Sequence, residues 1–241
     1  MRKDHRPYFI KKAYLKFQEF YVNHYLRPQL ESLGKGFTIM RPWQVKIFGS
    51  PIVLGDYANV VAASDKKVRL TVWSEIAGMG RITIGNYCLI GPGTRISSGH
   101  EIVIGNSCMV ASNVYITDSD WHDTYNRVAP FGKMAPVRLE QNVWIGDSVI
   151  VCKGVTIGEN SIIGAGAIVV NNVPPNTIAA GNPAKVVKEL DPQAQLTTRA
   201  QYYEYLAELS TDFLNQKDKE RLIGNTTLSW IRSILAPQKG D

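Results

Sequence analysis

Residues 145–170 read IGDSVIVCKGVTIGENSIIGAGAIVV. An aliphatic residue opens each group of six, and a small residue, most often glycine, follows it; the aliphatic positions are Ile145, Val151, Ile157, Ile163 and Val169. A period of six fits neither the 3.6-residue period of a helix nor the two-residue alternation of a strand. It is typical of a short strand followed by a tight turn. The stretch therefore predicts a parallel β-helix whose coils stack and bury a column of aliphatic side chains.

The same repeat continues towards the N-terminus as far as residue 81, with one slip of two residues. The further pairs are Ile84-Gly85, Ile90-Gly91, Ile96-Ser97, Ile104-Gly105, Val110-Ala111 and Ile116-Thr117, and weaker copies stand at Leu54-Gly55 and Val60-Val61. Unrelated strands of a β-sandwich would not hold this phase, which favours the solenoid. Cys88 and Cys108 fall at the small position of the repeat, where they are expected to pack in the core.

The chain has 241 residues and a formal net charge of +6, most of which belongs to its first 35 residues. No basic stripe with interleaved aromatic residues crosses the rest, so nucleic acid is not an expected partner. Three cysteines, an odd number, argue against a disulfide-bonded secreted scaffold. The N-terminus has no apolar signal segment, and no apolar run approaches the ~20 residues that a membrane span needs. A cytoplasmic protein is therefore expected.

A loop is predicted over residues 117–142, where the repeat loses its phase. Long loops extruded from a compact repeat array usually carry function. This loop is polar, and His122 stands in it between Asp120 and Asp123. An isolated histidine in such surroundings is more often an ordinary surface residue, so residue type alone leaves its role open.

Over residues 49–190 the chain resembles the hexapeptide-repeat acyltransferases, whose repeat is aliphatic-Gly-x-x-small-x. The most specific part runs from NVWIGD at residues 142–147 to GNPAK at residues 181–185. That part is similar to sugar O-acetyltransferases of the galactoside and maltose branch and to their polysaccharide-modifying relatives. The resemblance implies a mainly β protein, built as a left-handed parallel β-helix with three hexads per triangular coil. It also implies acetyl-CoA as donor and a homotrimer with active sites at the subunit interfaces.

For catalysis, the resemblance implies that His122 is the general base in acetyl transfer to a saccharide hydroxyl, directly within a ternary complex. Imidazole, with a reference pKa of about 6.5, suits this role at neutral pH. Asp118, Asp120, Asp123 or a backbone carbonyl would hold the ring in the required tautomer, and the sequence leaves that choice open. Asp120 and Asp123 are counted with His122 as candidate catalytic residues.

The resemblance also implies sites for the oxyanion, the donor and the acceptor. The amide of Gly146 or Asp147 is expected to bind the oxyanion. Coenzyme A is expected along the C-terminal coils, at Trp144, Gly146, Gly164, Ala165, Asn171, Asn182, Pro183, Lys185 and Lys188. Candidate substrate-binding residues are Gly91, Gly99, His100 and Asp118.

Both ends of the chain are predicted to be helical. Residues 7–33 are amphipathic and are expected to cap the first coil; weak contact with a membrane surface through aromatic and lysine side chains, or binding of a partner, are the alternatives. Towards the C-terminus, Asn225 is expected to cap a last short helix. The predicted domains are 1–36, the N-terminal helix; 37–189, the β-helix with its loop; and 190–241, a helical extension.

Three other functions compete with O-acetyl transfer. An N-acetyltransferase of an amino-sugar or small amine would use the same residues. A non-catalytic scaffold would keep the repeat without activity. A carbonic anhydrase of the same fold needs three histidines on zinc, whereas only His100 and His122 lie in the repeat region, so no metal is expected.

Overall fold

The computed structural model describes residues 4–74, 78–208 and 211–238. The chain divides into two compact units, one of residues 21–203 and one that combines residues 1–20 with 204–241. The sequence-based division treats the two ends of the chain as separate domains, whereas the structure groups them.

Three sheets of short strands build the first unit, and the chain visits them in the order A, B, C from β1 to β18; the last two strands, β19 and β20, both belong to sheet B. Sheet A contains β1 (Ser32–Leu33), β4 (Ile52–Leu54), β7 (Ile82–Ile84), β10 (Ile102–Ile104), β13 (Val137–Leu139) and β16 (Thr156–Ile157). Sheet B contains β2 (Thr38–Met40), β5 (Asn59–Val61), β8 (Leu89–Ile90), β11 (Met109–Val110), β14 (Trp144–Ile145), β17 (Ile162–Ile163), β19 (Thr177–Ala180) and β20 (Lys185–Glu189). Sheet C contains β3 (Val45–Phe48), β6 (Val68–Val72), β9 (Arg95–Ser98), β12 (Tyr115–Thr117), β15 (Ile150–Val151) and β18 (Ile168–Val169).

Neighbouring strands are parallel except for β19 and β20, which are antiparallel. The predicted left-handed parallel β-helix is therefore confirmed. Its three rows of corners are named here by the sheets they join: the AB edge, the BC edge and the CA edge.

The interior is the aliphatic column that the repeat predicts. All the aliphatic anchors from Ile84 to Val169 are buried, and the coils pack in register so that like positions stack. The thiols of Cys88 and Cys108 fill two of the small positions and donate to the carbonyls of Gly105 and Glu140, each at 3.0 Å. The core is thus continuous from coil to coil.

Asparagine helps to form the corners of the AB edge. Asn142, Asn160 and Asn176 have φ of 58°, 60° and 56°, the left-handed region that asparagine tolerates better than most residues. Their side-chain amides bond in a row, Asn142 to Asn160 at 3.0 Å and Asn160 to Asn176 at 2.9 Å. The row joins successive coils at the corner.

The N-terminal helix is shorter than predicted. Helix α1 (Tyr8–Tyr21) gives way to a π-helical turn, Val22–Leu26, and a 3-10 turn, Arg27–Gln29. Helical conformation therefore continues to Gln29, four residues short of the predicted end at residue 33, and it changes type at Val22. Proline in the 3-10 turn has no amide to donate, which fits the end of the helical segment there. Within residues 21–203, Val22, Leu26 and Leu30 join the buried core at the first coil. This segment closes that end of the aliphatic column.

The C-terminal part forms α2 (Arg199–Glu208), α3 (Thr211–Arg221) and α4 (Thr227–Leu235). Thr226 caps α4 through a reciprocal capping box with Ser229, so the prediction that Asn225 caps this helix was wrong. Asn225 instead donates to the carbonyls of Asp4 and Arg6, at 2.6 and 3.1 Å. None of the helices in the described ranges has the length and apolarity needed to cross a bilayer.

Candidate active site

The residues predicted to form the site are divided between two edges of the prism. The CA edge carries Gly99, His100, Asp118, Asp120, His122, Asp123 and Asn171. The BC edge carries Gly91, Gly146, Asp147, Gly164, Ala165, Asn182 and Pro183. The strands of sheet C lie between these edges, so a single copy of the chain does not bring the two groups together.

The loop of the CA edge is shorter than the predicted excursion. It runs over residues 118–136, because β13 restores the repeat with the buried side chains of Val137 and Leu139. An antiparallel bridge between Ser119 and Met134 closes its base. Next to the bridge, the amide of Asp120 donates to the carbonyl of Lys133 at 2.9 Å. The loop is therefore a hairpin-like extension with a defined base.

Asp118 lies at that base and is fully buried. Its carboxylate accepts four hydrogen bonds: from the hydroxyls of Ser98 and Ser119, each at 2.6 Å, and from the amides of Gly99 and His100, at 2.7 and 2.9 Å. A buried carboxylate satisfied in this way fixes the groups that donate to it. Asp118 thus joins the base of the loop to the preceding corner, and its position does not present it to a substrate.

His122 is exposed near the start of the loop. Its Nδ1 lies 3.3 Å from the carbonyl oxygen of Ala129. A carbonyl oxygen only accepts, so this contact requires the proton on Nδ1 and leaves the lone pair on Nε2. Gly132 packs against the carbonyl of His122, where a Cβ would collide with it. The returning half of the loop therefore supports the histidine from two sides.

Neither aspartate beside His122 is bonded to its ring. Asp120 accepts from Nζ of Lys153 at 2.8 Å, which ties the loop to the next coil. Asp123 accepts the amides of Tyr125 and Asn126, at 2.9 and 2.8 Å, and these donors hold its pKa below the usual value. The sequence left open whether an aspartate or a backbone carbonyl would orient the ring, and in the structure the carbonyl of Ala129 is the group that contacts it.

The preceding corner of the CA edge contains Gly99 and His100. A Cβ on Gly99 would lie 2.6 Å from the hydroxyl oxygen of Ser119, so glycine permits the close approach of the loop. His100 is partly exposed, and its Nδ1 is buried without a hydrogen-bond partner among the described residues. Across those residues, no three His, Cys, Asp or Glu side chains are grouped so that they could hold a metal ion.

The BC edge is built by backbone rather than by side chains. The amide of Gly146 donates to the carbonyl of Ile163 at 2.8 Å and is used in stacking the coils. The amide of Asp147 makes no hydrogen bond within the described part of the chain, and its carboxylate accepts from Ser148 and Asn113, at 2.7 and 3.2 Å. Of the two predicted oxyanion donors, only Asp147 has an available amide.

Glycine at this edge allows the coils to approach closely. A Cβ on Gly146 would lie 2.7 Å from the amide nitrogen of Ala165, and one on Gly91 would lie 2.6 Å from the carbonyl carbon of Ala111. Gly91 is buried, so its position serves packing. Asn182 and Pro183 form the last corner, where the flanking Gly181 and Ala184 bond to Ile168 of β18.

Three of the predicted donor-binding residues share the outward face of sheet B. The register aligns Trp144 with Ile162, Ile162 with Ile178, and Ile178 with Lys188. Lys185 stands opposite Ala180 on the same pair of strands. Trp144 is 46% exposed. Asn171, by contrast, lies at the CA edge.

Several residues of the site carry no signal in the sequence. Four groups enter the site only because of how the loop folds: the hydroxyls of Ser98 and Ser119, the carbonyl of Ala129 and the ammonium of Lys153. Trp121 also donates its indole N–H to the hydroxyl of Tyr115 at 3.0 Å and so fixes the loop to β12. Spacing along the chain predicts none of these contacts.

Two hexapeptide families match the repeat. Residues 136–171 match the family described as bacterial transferase hexapeptide (six repeats), and residues 81–118 match the hexapeptide repeat of succinyl-transferase. The loop that carries His122 lies between the two matched segments.

Proteins that are similar in sequence or in fold are named as acetyltransferases and acyltransferases. Galactoside O-acetyltransferase of Escherichia coli (strain K12) is 39% identical over 98 residues, which are 40% of this chain and 48% of that protein. The chain spans about half the length of the curated relatives it matches. Among solved structures, the N-acyltransferase AntD from Bacillus cereus, in complex with dTDP and 3-hydroxybutyryl-CoA, has a TM-score of 0.55 at 20% identity, over 80% of this chain and 94% of that chain. At this identity the likeness shows the fold.

Proposed function

Since this chain is a hexapeptide-repeat protein, we propose that it transfers an acetyl group from acetyl-CoA to a hydroxyl of a saccharide. The observation that carries the proposal is His122, whose Nδ1 faces a carbonyl so that Nε2 keeps its lone pair on an exposed loop. The 39% identity with a galactoside O-acetyltransferase supports the donor and the acceptor class.

In the proposed reaction, Nε2 of His122 takes the proton of the acceptor hydroxyl as its oxygen attacks the thioester carbonyl. The amide of Asp147 stabilises the oxyanion of the tetrahedral intermediate. Collapse breaks the carbon–sulfur bond, and the leaving thiolate takes the proton back from His122. The products are the acetyl ester and coenzyme A, and no covalent acyl-enzyme forms.

The proposal includes a homotrimer. His122 at the CA edge and Asp147 at the BC edge are separated by sheet C, so the reaction needs the CA edge of one copy beside the BC edge of another. A closed ring with threefold symmetry makes that contact three times. The indole of Trp144 on sheet B is half-exposed in the single chain, which leaves apolar surface for a second copy to cover. Sedimentation should then give three times the 26.8 kDa of one chain.

The donor is proposed to lie along the last coils. Gly164 and Ala165 leave room for an extended chain close to the backbone, and Lys185 and Lys188 supply cations for its phosphates. All the residues of β20 are exposed, so both ammonium groups are accessible. Asn182 and Pro183 lie at the neighbouring corner.

Calorimetry of acetyl-CoA binding tests the proposal. The full chain and the Lys185→Ala variant are compared with a matched control, Lys35→Ala, which removes an exposed lysine at the opposite end of the coil stack. We expect roughly micromolar binding to the wild type and the control, and clearly weaker binding to Lys185→Ala.

Release of coenzyme A is then measured with a panel of saccharides and amino-sugars. Transfer to hydroxyls supports the proposal as stated. Transfer only to amines would replace it by N-acetylation. Absence of binding at millimolar coenzyme A would contradict transferase activity and favour the scaffold.

A further inference from the structure

A surface cavity of about 430 Å³ lies on the outer side of sheet C next to the BC edge. Four of its lining side chains are cationic: Lys66, Lys67, Arg69 and Arg95. Asp65 is the one carboxylate in the lining. The cavity is therefore strongly basic, although the net positive charge of the chain belongs mostly to its first 35 residues.

The four cations have no anionic partners in the described residues. None of them forms an ion pair there, and Arg95 instead packs over the ring of Tyr115 at 4.3 Å. Arg69 and Arg95 occupy directly paired positions of β6 and β9, on strands that lie about 4.8 Å apart. Like charges at directly opposite positions repel one another, and an anion bound between them would relieve that repulsion.

The corner that carries the two lysines is held in place. It spans residues 62–67, two residues more than the corresponding corner, 91–94, of the next coil. Reciprocal backbone bonds join Ala63 and Lys66, at 3.1 and 3.2 Å, and the carbonyl of Lys66 also accepts from Gly93 at 3.1 Å. The longer corner therefore forms a fixed wall of the cavity.

The cavity adjoins the proposed reaction centre. Asn113 lines it and donates to the carboxylate of Asp147 at 3.2 Å. Along the BC edge, the cavity lies on the N-terminal side of Asp147, and the proposed donor residues Gly164 and Ala165 lie on its C-terminal side. A donor bound on one side leaves the other side for the acceptor.

We infer that the acceptor is an anionic saccharide whose carboxylate or phosphate binds in this basic cavity. Arg69 and Arg95 each present a planar fork that suits such a group, and the two lysines add charge. The inference rests on the proposed function, because it assigns the cavity to the acceptor of that reaction. A neutral saccharide would leave the four cations without a partner.

Binding of two anionic sugars, glucuronate and glucose 1-phosphate, is compared with that of glucose by calorimetry on the full chain saturated with coenzyme A. The variant Arg69→Gln/Arg95→Gln is compared with Arg138→Gln, an exposed arginine at an outward position of sheet A. We expect at least one anionic sugar to bind more tightly than glucose, and the double variant to weaken it at least about tenfold, with no change in Arg138→Gln. The preference should fall at high salt.

Three results would overturn the inference. The first is equal binding of glucose and both anionic sugars by the wild type. The second is unchanged binding of the anionic sugars by the double variant. The third is a loss of coenzyme A affinity in the double variant, which would assign the cavity to the donor.

A second variant, Lys66→Gln/Lys67→Gln, serves if the arginine variant is unstable. If the chain is not a transferase, coenzyme A binding itself should be absent, and that result does not depend on which sugars bind.

Discussion

The CA edge and the BC edge belong to the same coils but hold their functional groups by different means. At the CA edge, side chains on an extended loop are fixed by a buried carboxylate, Asp118. At the BC edge, the corners are mostly short, and glycines bring the backbone of one coil against the next. A single fold thus presents a side-chain group, the imidazole of His122, on one edge and a backbone group, the amide of Asp147, on the other.

The difference shows how a repeat protein gains chemistry. A regular coil supplies backbone amides at a regular spacing along the axis of the β-helix, but its short corners do not position a side chain as a general base. A loop supplies the base, and it must then be anchored by contacts that the repeat does not provide. The two edges should therefore respond differently to substitution: activity should be sensitive at the CA edge, and stability should be sensitive at both.

The largest effect is expected from His122→Ala. Removing the general base should lower kcat about 10²- to 10⁴-fold, because the acceptor hydroxyl loses its proton acceptor. Coenzyme A binding and the free energy of unfolding should not change, since the side chain is exposed. Steady-state kinetics, with calorimetry and denaturant unfolding on the same samples, checks this. Thr124→Ala, a change at another exposed loop residue, is the matched control, and a wild-type rate in His122→Ala would place the base elsewhere.

Asp118→Asn should have the next largest effect, and it should act on both properties. The new amide nitrogen is a donor, and it would face hydroxyl and amide groups that now donate to the carboxylate. This mismatch should lower the free energy of unfolding by about 2–4 kcal/mol. The amide of His100 cannot reverse its role, so the corner should shift and kcat should fall with it. Asp123→Asn is the control, because Asp123 is not buried and accepts only loop amides. Equal stability of the two variants would show that Asp118 does not fix the edge.

Gly146→Ala tests the BC edge. A Cβ there would lie 2.7 Å from both the amide nitrogen of Ala165 and the carbonyl oxygen of Ile163, so the coils must separate, at about 1–3 kcal/mol. Gly166→Ala is the comparison: its Cβ would meet open space, and only the positive φ of 72° is unfavourable, by about 1 kcal/mol. Denaturant unfolding separates the two, and a smaller loss in Gly146→Ala than in Gly166→Ala would refute close approach as the reason for glycine.

The coils could be predicted from the sequence because their cause is periodic. A buried aliphatic anchor recurs every six residues, so the period of the sequence directly indicates which side chains form the core. The end of the loop was missed because Leu139 is followed by Glu140 rather than a small residue, which hides the hexad of β13. The structure shows Leu139 buried, and the loop therefore ends at residue 136.

The candidate site was predictable by residue type but not by contact. His122 stands out as a histidine in a long polar loop, yet its partner is the carbonyl of Ala129, and any residue type has a carbonyl. Likewise Asp118, Asp120 and Asp123 are equivalent in the sequence. The folded loop distinguishes them, since one is buried, one is paired with a lysine and one caps a turn.

The smallest effect is expected at the ion pair between Asp120 and Lys153, which joins the loop to the next coil at 2.8 Å. Its side chains are 41% and 31% exposed, so Lys153→Gln should lower the unfolding free energy by about 0–1 kcal/mol. Arg138→Gln breaks a similar surface pair, at 3.0 Å, between β13 and Glu101 of the preceding corner and is the matched control. Both losses should vanish in 1 M salt, where screening is strong.

Turnover separates the two pairs even where stability does not. Asp120 lies within the loop that carries His122, whereas Arg138 follows the loop on β13, so Lys153→Gln should lower kcat more than Arg138→Gln, by a few-fold at low salt and less at high salt. Equal kcat in the two variants would mean that Asp118 and the bridge between Ser119 and Met134 hold the loop without the ion pair. The CA edge would then depend on its buried contacts alone, as the BC edge does on its backbone.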